Sequence, residues 1–76
     1  MRKRRSQDVR FVLCLTSSEP DLEPRKVYQV LPDERADKAK YLRVIDESGE
    51  DYLYPEQYFV PIELPATVEK ALLLAS

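Results

Sequence analysis

Residues 41–58 read YLRVIDESGEDYLYPEQY, and this stretch decides the fold. Residues 41–46 and 51–54 are short runs rich in β-branched and aromatic side chains, which favour strands. The only glycine, Gly49, lies between the two runs, and it predicts a positive φ angle in a tight hairpin turn. Residues 55–58 begin with a proline and end with a tyrosine, and they predict a single 3₁₀ turn.

Three further strands are predicted outside this hairpin. They are residues 9–15 (VRFVLCL), residues 26–31 (KVYQVL) and residues 59–64 (FVPIEL). A loop with two prolines, residues 16–25, separates the first two strands, and Leu22 is its one candidate for burial. Short strands with turn signals between them predict a small all-β protein, a closed or half-closed five-stranded barrel.

Two segments have helical features. Residues 33–40 contain no large apolar side chain, and we expect a loop with at most one helical turn, capped by Asp33. Residues 66–75 follow Pro65 and consist mostly of good helix formers, which predicts a C-terminal helix. A helix this short is marginal in water, so it must pack either on the barrel or on a second copy of the chain.

Length and composition exclude several kinds of chemistry. The chain has 76 residues, of which 43% are hydrophobic, and this corresponds to one small domain. It has no histidine and one cysteine, Cys14, which excludes a catalytic triad built on histidine, a histidine-ligated metal and a disulfide within the chain. A single glycine excludes a glycine-rich phosphate loop. We therefore expect a non-enzymatic protein with no catalytic residue, metal or cofactor.

Charge is distributed unevenly along the chain. Five bases and one acid give residues 1–10 a charge of +4, and the other seven bases and thirteen acids give −6, which together make the net charge of −2. The bases of this N-terminal arm are Arg2, Lys3, Arg4, Arg5 and Arg10. They predict either contact with phosphates, of a nucleic acid or of anionic lipid, or a solvated, flexible terminus over residues 1–8.

The sequence also predicts a location in the cell. The arm is followed by polar residues and then by only five consecutive apolar ones, Phe11–Leu15, which is too short for a signal peptide. No stretch is long enough to span a membrane, and a single cysteine is typical of a reducing compartment. We expect a cytoplasmic protein that does not bind membranes.

Residues 9–62 resemble the Src-homology-3 barrel in the order of their parts. Leu22 is similar to the buried leucine of that family's long loop, and Tyr28 and Val30 are similar to its paired core positions. YPEQYF, residues 54–59, is similar to the signature that ends the domain. VIDESGEDYLYP, residues 44–55, is also typical of a group of small bacterial proteins with this barrel and a C-terminal helix, for which no activity is implied.

The resemblance implies a surface for a protein or peptide partner. In the Src-homology-3 family, proline-rich segments lie across aromatic ridges, and Pro55 and Tyr58 match that surface. The chain departs from the family in its first strand, which lacks the paired tyrosines, and in its hairpin, where Tyr41 replaces a tryptophan. The predicted partner-binding residues are Tyr41, Tyr54, Pro55 and Tyr58, within a barrel of residues 9–64 followed by a helical segment, residues 65–76.

Two further groups of residues each allow two interpretations. Tyr52 and Tyr54 would share one strand face and could form an exposed tyrosine patch, or their rings could complete a thin core. Acids crowd around Gly49 in DESGED, but this segment lacks the length and ligand spacing of a calcium loop, so we expect a solvated hairpin turn.

Overall fold

The computed structural model describes residues 11–75, which form an antiparallel sheet of five strands and two helices. The strands are β1 (Phe11–Cys14), β2 (Val27–Leu31), β3 (Tyr41–Ile45), β4 (Asp51–Pro55) and β5 (Phe59–Ile62). The helices are α1 (Glu34–Lys38) and α2 (Ala66–Ala75), and a 3₁₀ turn, Glu56–Tyr58, joins β4 to β5. The prediction of five strands, a 3₁₀ turn and a C-terminal helix is confirmed.

β2 connects the two halves of the sheet, whose strand order is β4-β3-β2-β1-β5. The first half of β2 pairs with β1, where Tyr28 lies opposite Val12. Its second half pairs with β3, where Val30 lies opposite Val44. β5 returns to the free side of β1, so the last strand of the chain lies beside the first.

The sheet is not closed, so the closed form of the predicted barrel is wrong. Within residues 11–75 no backbone ladder joins β4 to β5, the two outermost strands. Each of these strands contains a proline, Pro55 in β4 and Pro61 in β5. Proline has no N–H to donate to a ladder, so these residues disfavour both closure of the sheet and edge-to-edge pairing with another chain.

The core lies on one face of the sheet. β2 and β3 bury alternate residues, as strands with one covered face do. β1 is covered more completely: Phe11 and Val12 are buried and Leu13 is half-buried. The buried cluster consists of Val12, Cys14, Leu22, Tyr28, Val30, Leu42, Val44, Tyr54 and Phe59.

The long loop, residues 15–26, is held by backbone hydrogen bonds at its base and by a buried side chain at its middle. The N–H of Cys14 donates to the carbonyl of Lys26 at 2.8 Å, and the N–H of Arg25 donates to the carbonyl of Cys14 at 2.7 Å. Arg25 has a φ of 67°, in the left-handed region, which returns the chain toward β2. Leu22 is only 4% exposed and belongs to the core, so the prediction that it is buried is confirmed.

α1 is longer than predicted. We expected a loop with at most one helical turn, but Glu34–Lys38 form a five-residue helix. Asp33 caps it by accepting the N–H of Ala36 at 3.0 Å, and Ala36 is buried. Asp33 also binds Arg43 on β3, a tertiary contact that local helix propensity does not reveal.

The β3–β4 turn has the predicted geometry. Gly49 has a φ of 87°, and its N–H donates to the carbonyl of Asp46 at 3.0 Å. The N–H of Asp46 donates in turn to the carbonyl of Glu50 at 3.1 Å. This pattern is a three-residue hairpin loop with a glycine in the bulge position, where other residues would be strained.

α2 leaves much of its apolar surface in solvent. Val68 is 42% exposed, Leu72 is 40% exposed and Leu74 is 77% exposed. Leu72 also borders a shallow hollow whose other walls include Val27 and Ile45 of the sheet. Packing on the sheet and packing on a second copy both stay predictions for this helix. No helix in the described part of the chain is long and apolar enough to cross a membrane.

We expect Leu22→Ala to destabilise the fold far more than Leu15→Ala in the same loop. Leu22 is buried, and removing a buried leucine side chain costs about 2–5 kcal/mol, much of what a core this small supplies. Leu15 is 54% exposed, so its truncation should change little. Urea unfolding followed by far-UV circular dichroism measures both, and equal losses would contradict an anchoring role for Leu22.

Candidate interaction surface

Two of the predicted partner-binding residues are direct neighbours across the hairpin. Tyr41 begins β3 and lies opposite Pro55, the last residue of β4. Tyr41 is 40% exposed and Pro55 is half-buried. Side chains directly opposite each other in an antiparallel pair have their Cβ atoms about 5 Å apart. The two side chains therefore form one continuous apolar patch on the surface.

The 3₁₀ turn places Tyr58 beside the core and beside the long loop. The N–H of Glu56 donates to the carbonyl of Lys40 at 3.0 Å, which holds the turn against the start of β3. The half-buried ring of Tyr58 packs with its centroid 6.3 Å from that of Phe59. Its hydroxyl donates to a carboxylate oxygen of Glu19 at 3.4 Å, so the turn also contacts the acidic loop.

Tyr54 belongs to the core, which removes it from the predicted binding surface. Its side chain is only 8% exposed, and its ring makes an edge-on contact with Phe59 at 6.3 Å between centroids. Tyr52 lies two residues earlier on the same strand but is 50% exposed, close to the hairpin turn. The two rings therefore form no exposed patch. Tyr54 supports the surface from below through its ring contact with Tyr58, at 6.5 Å.

A buried carboxylate receives the Tyr54 hydroxyl. Asp46 is 5% exposed and accepts the Tyr54 hydroxyl at 2.7 Å. Its other oxygen accepts the Ser48 hydroxyl at 2.5 Å and the Ser48 N–H at 3.0 Å. Burial opposes ionisation of Asp46, but the hydrogen bonds from Ser48 and Tyr54 outweigh it and hold its pKa below the ordinary value. The same burial, together with the Asp46 charge, raises the pKa of Tyr54.

A second tyrosine joins the hairpin turn to the long loop. The Tyr28 hydroxyl donates to Glu47 at 2.6 Å and accepts the N–H of Glu23 at 2.8 Å. Lys26 pairs with the same Glu47 oxygen at 2.5 Å, and these contacts lower the pKa of Glu47. In addition, the N–H of Glu47 donates to the carbonyl of Asp21 at 2.9 Å.

Sequence reasoning missed these two carboxylates as structural residues. It read Asp46 and Glu47 as part of a solvated turn, because charged residues next to glycine are usually exposed. The available signal was the presence of buried tyrosines on the neighbouring strands. A buried phenol needs a hydrogen-bond partner, and the acids of the adjacent turn are the nearest candidates.

The remaining predicted features concern nucleic acid, metal and thiol chemistry. Arg2, Lys3, Arg4, Arg5 and Arg10 lie outside the described residues, and so does the arm of residues 1–8 for which the sequence predicts flexibility. Among residues 11–75 no group of three or more possible ligand side chains could hold a metal ion. Cys14 is buried, its thiol donates to the carbonyl of Thr16 at 3.5 Å, and burial raises its pKa, which disfavours the reactive thiolate.

Comparison with known proteins finds no relative of this chain. No protein-family model, no curated protein and no solved structure matches the chain. Its function must therefore be inferred from its own surface.

We expect Tyr54→Phe to destabilise the protein, because it leaves a buried oxygen of Asp46 without its donor. Losing a hydrogen bond to a charged group costs about 1.5–3 kcal/mol. Tyr52→Phe is the matched control: the Tyr52 hydroxyl donates to Glu50 at 3.2 Å in solvent, so no measurable change is expected. Urea unfolding of the two variants tests this, and an unchanged midpoint for Tyr54→Phe would contradict it.

We also expect acid to weaken the fold through Asp46. Its pKa in the unfolded chain is about 3.9, and its folded-state pKa is lower. The unfolded state thus binds the proton more readily, so the stabilisation is complete above the unfolded pKa and is lost as the pH falls through the folded one. Asp46→Asn should be less stable at neutral pH and should show a smaller loss on acidification. Unfolding free energies across this pH range measure the effect, and identical slopes for the two proteins would contradict it.

Proposed function

We propose that this chain is a non-enzymatic interaction module that binds an extended protein or peptide segment. The binding site is the aromatic surface, defined as Tyr41, Pro55 and Tyr58. The observation that carries the proposal is the cross-strand pairing of the exposed Tyr41 with Pro55, beside a turn that presents Tyr58. Flat, rigid side chains lose little conformational entropy on binding, which suits them to extended and proline-containing ligands.

The architecture supports a fold of the Src-homology-3 type, which we propose together with this function. The strand order β4-β3-β2-β1-β5 and the 3₁₀ turn before the last strand agree with the resemblance. The long loop carries Glu19, Asp21 and Glu23, and Glu19 contacts Tyr58. This acidic loop favours a ligand with a basic residue near that end of the surface.

The non-enzymatic part of the proposal rests on the residues available for chemistry. The chain has no histidine, and its single thiol is buried with a raised pKa. The carboxylates with lowered pKa values, among them Asp46 and Glu47, are held in structural hydrogen bonds and ion pairs. We also propose a cytoplasmic location, because an unpaired cysteine suits a reducing compartment.

The alternative function, association with nucleic acid, rests on the sequence of the basic arm alone. Arg2–Arg5 and Arg10 supply the positive charge, whereas residues 11–76 carry an excess of acids. Binding through this arm should weaken steeply with added salt, because phosphate contacts release counterions. Binding through the aromatic surface should depend much less on salt.

Peptide selection on the full-length chain tests the proposal. Peptides selected from a random library would be resynthesised, and their affinities measured by fluorescence polarisation at physiological ionic strength. We expect Tyr41→Ala to weaken binding by about tenfold, as for a central aromatic contact. Tyr52→Ala is the control, since Tyr52 is exposed on the same hairpin but away from the surface.

Three outcomes oppose the proposal. Selected peptides whose affinity survives Tyr41→Ala would place the site elsewhere. Loss of binding on deletion of residues 1–8, with a steep dependence on salt, would favour the basic arm. Failure to select any peptide that binds the folded chain would remove the support for an extended ligand.

A further inference from the structure

A shallow hollow lies between α1 and the outer face of the β3–β4 hairpin, which we name the α1 hollow. It is lined by Asp33, Arg35, Ala36, Ala39, Tyr41, Arg43 and Leu53. Leu53 is 47% exposed, and Tyr41 is shared with the aromatic surface. Most of the lining is apolar and open to solvent, so burial of an apolar side chain there would favour binding.

Ion pairs hold the walls of the α1 hollow in place. Arg43 contacts Asp33, at the start of α1, with its Nη2 at 2.7 Å and its Nε at 2.8 Å. Its Nη1 contacts Asp51 on β4 at 2.9 Å. One guanidinium therefore joins α1 to both strands of the hairpin. A wall fixed in this way is formed before any ligand binds, which reduces the ordering cost of binding.

The two arginines of the α1 hollow differ in what they can still bind. Arg43 already has two carboxylate partners. Arg35 is exposed, and no carboxylate among the described residues forms an ion pair with it. A guanidinium beside an apolar hollow favours a ligand that carries an apolar group next to a carboxylate.

We propose that the α1 hollow receives an apolar side chain of the bound segment and that Arg35 pairs with an acidic residue next to it. The inference rests on the proposed function, because Tyr41 belongs to both the hollow and the aromatic surface. Arg35 and Tyr41 both line the α1 hollow, and Tyr41 lies opposite Pro55. The 3₁₀ turn that follows Pro55 carries Tyr58, whose hydroxyl contacts the acidic Glu19. The ligand is thus a segment with an acidic residue at the α1 end and a basic one at the long-loop end.

A pair of small probes tests the charge preference directly. N-acetyl-phenylalanine carries an apolar ring and a carboxylate, and N-acetyl-phenylalanine amide carries the same ring without the charge. Each is titrated into the ¹⁵N-labelled full-length chain, and backbone amide shifts are followed. We expect shifts at Ala36, Ala39, Tyr41 and Leu53, and about two- to fivefold tighter binding of the carboxylate at low salt, as for an exposed ion pair.

Variants separate the ion pair from the apolar contact. Arg35→Gln should abolish the preference for the carboxylate and leave binding of the amide unchanged. Lys38→Gln is the matched control, because it removes one positive charge from the same helix outside the lining of the hollow. Leu53→Ser should weaken both probes to a similar degree.

Several results would overturn the inference. These are equal affinity for the two probes, a carboxylate preference that survives Arg35→Gln, and shifts confined to other parts of the sheet. The selected peptides distinguish this failure from failure of the proposed function. Peptides that need Tyr41 but tolerate Arg35→Gln would leave the aromatic surface as the site and reject the role of the α1 hollow.

Discussion

Two tyrosine hydroxyls donate hydrogen bonds to carboxylates of a single hairpin turn, and the arrangement of the other elements depends on these contacts. Tyr54 donates to the buried Asp46, and Tyr28 donates to Glu47 while it accepts the backbone of Glu23. A chain this short cannot fill its core with aliphatic residues alone, so it uses aromatic rings. Each buried phenol then requires a partner, and the turn supplies both acceptors.

These contacts also determine which aromatic side chains stay at the surface. Tyr54 is drawn inward by Asp46, whereas Tyr41 begins its strand beyond the core and keeps its ring partly in solvent. Tyr58 is intermediate, because its ring packs on the core and its hydroxyl reaches the long loop. Tyr58 thus connects the proposed surface to the core, which limits the freedom of its ring before a ligand binds.

The elements differed in how far the sequence predicted them. The strands and the hairpin turn were predicted because their signals are local: β-branched runs, and a single glycine at the position that needs a positive φ. α1 was underestimated because its cap, Asp33, is also held by Arg43 from β3. Tyr54 was misplaced because strand alternation gives it the same face as Tyr52, and only the extent of the core separates the two. The absence of pairing between β4 and β5 likewise depends on how far the sheet curves.

The sequence by itself determined the strand pattern, the C-terminal helix, the turn at Gly49 and the chemical groups that the chain possesses. These follow from side-chain periodicity, backbone preferences and composition, which act over a few neighbouring residues. Only the tertiary structure decided that Asp46 is buried and that Tyr41 faces Pro55. It also decided that Arg35 borders an apolar hollow, beside an Arg43 that two carboxylates hold in ion pairs. Burial, and the choice of partners between distant residues, depend on which surfaces the folded sheet brings together, and no local preference of the chain specifies that.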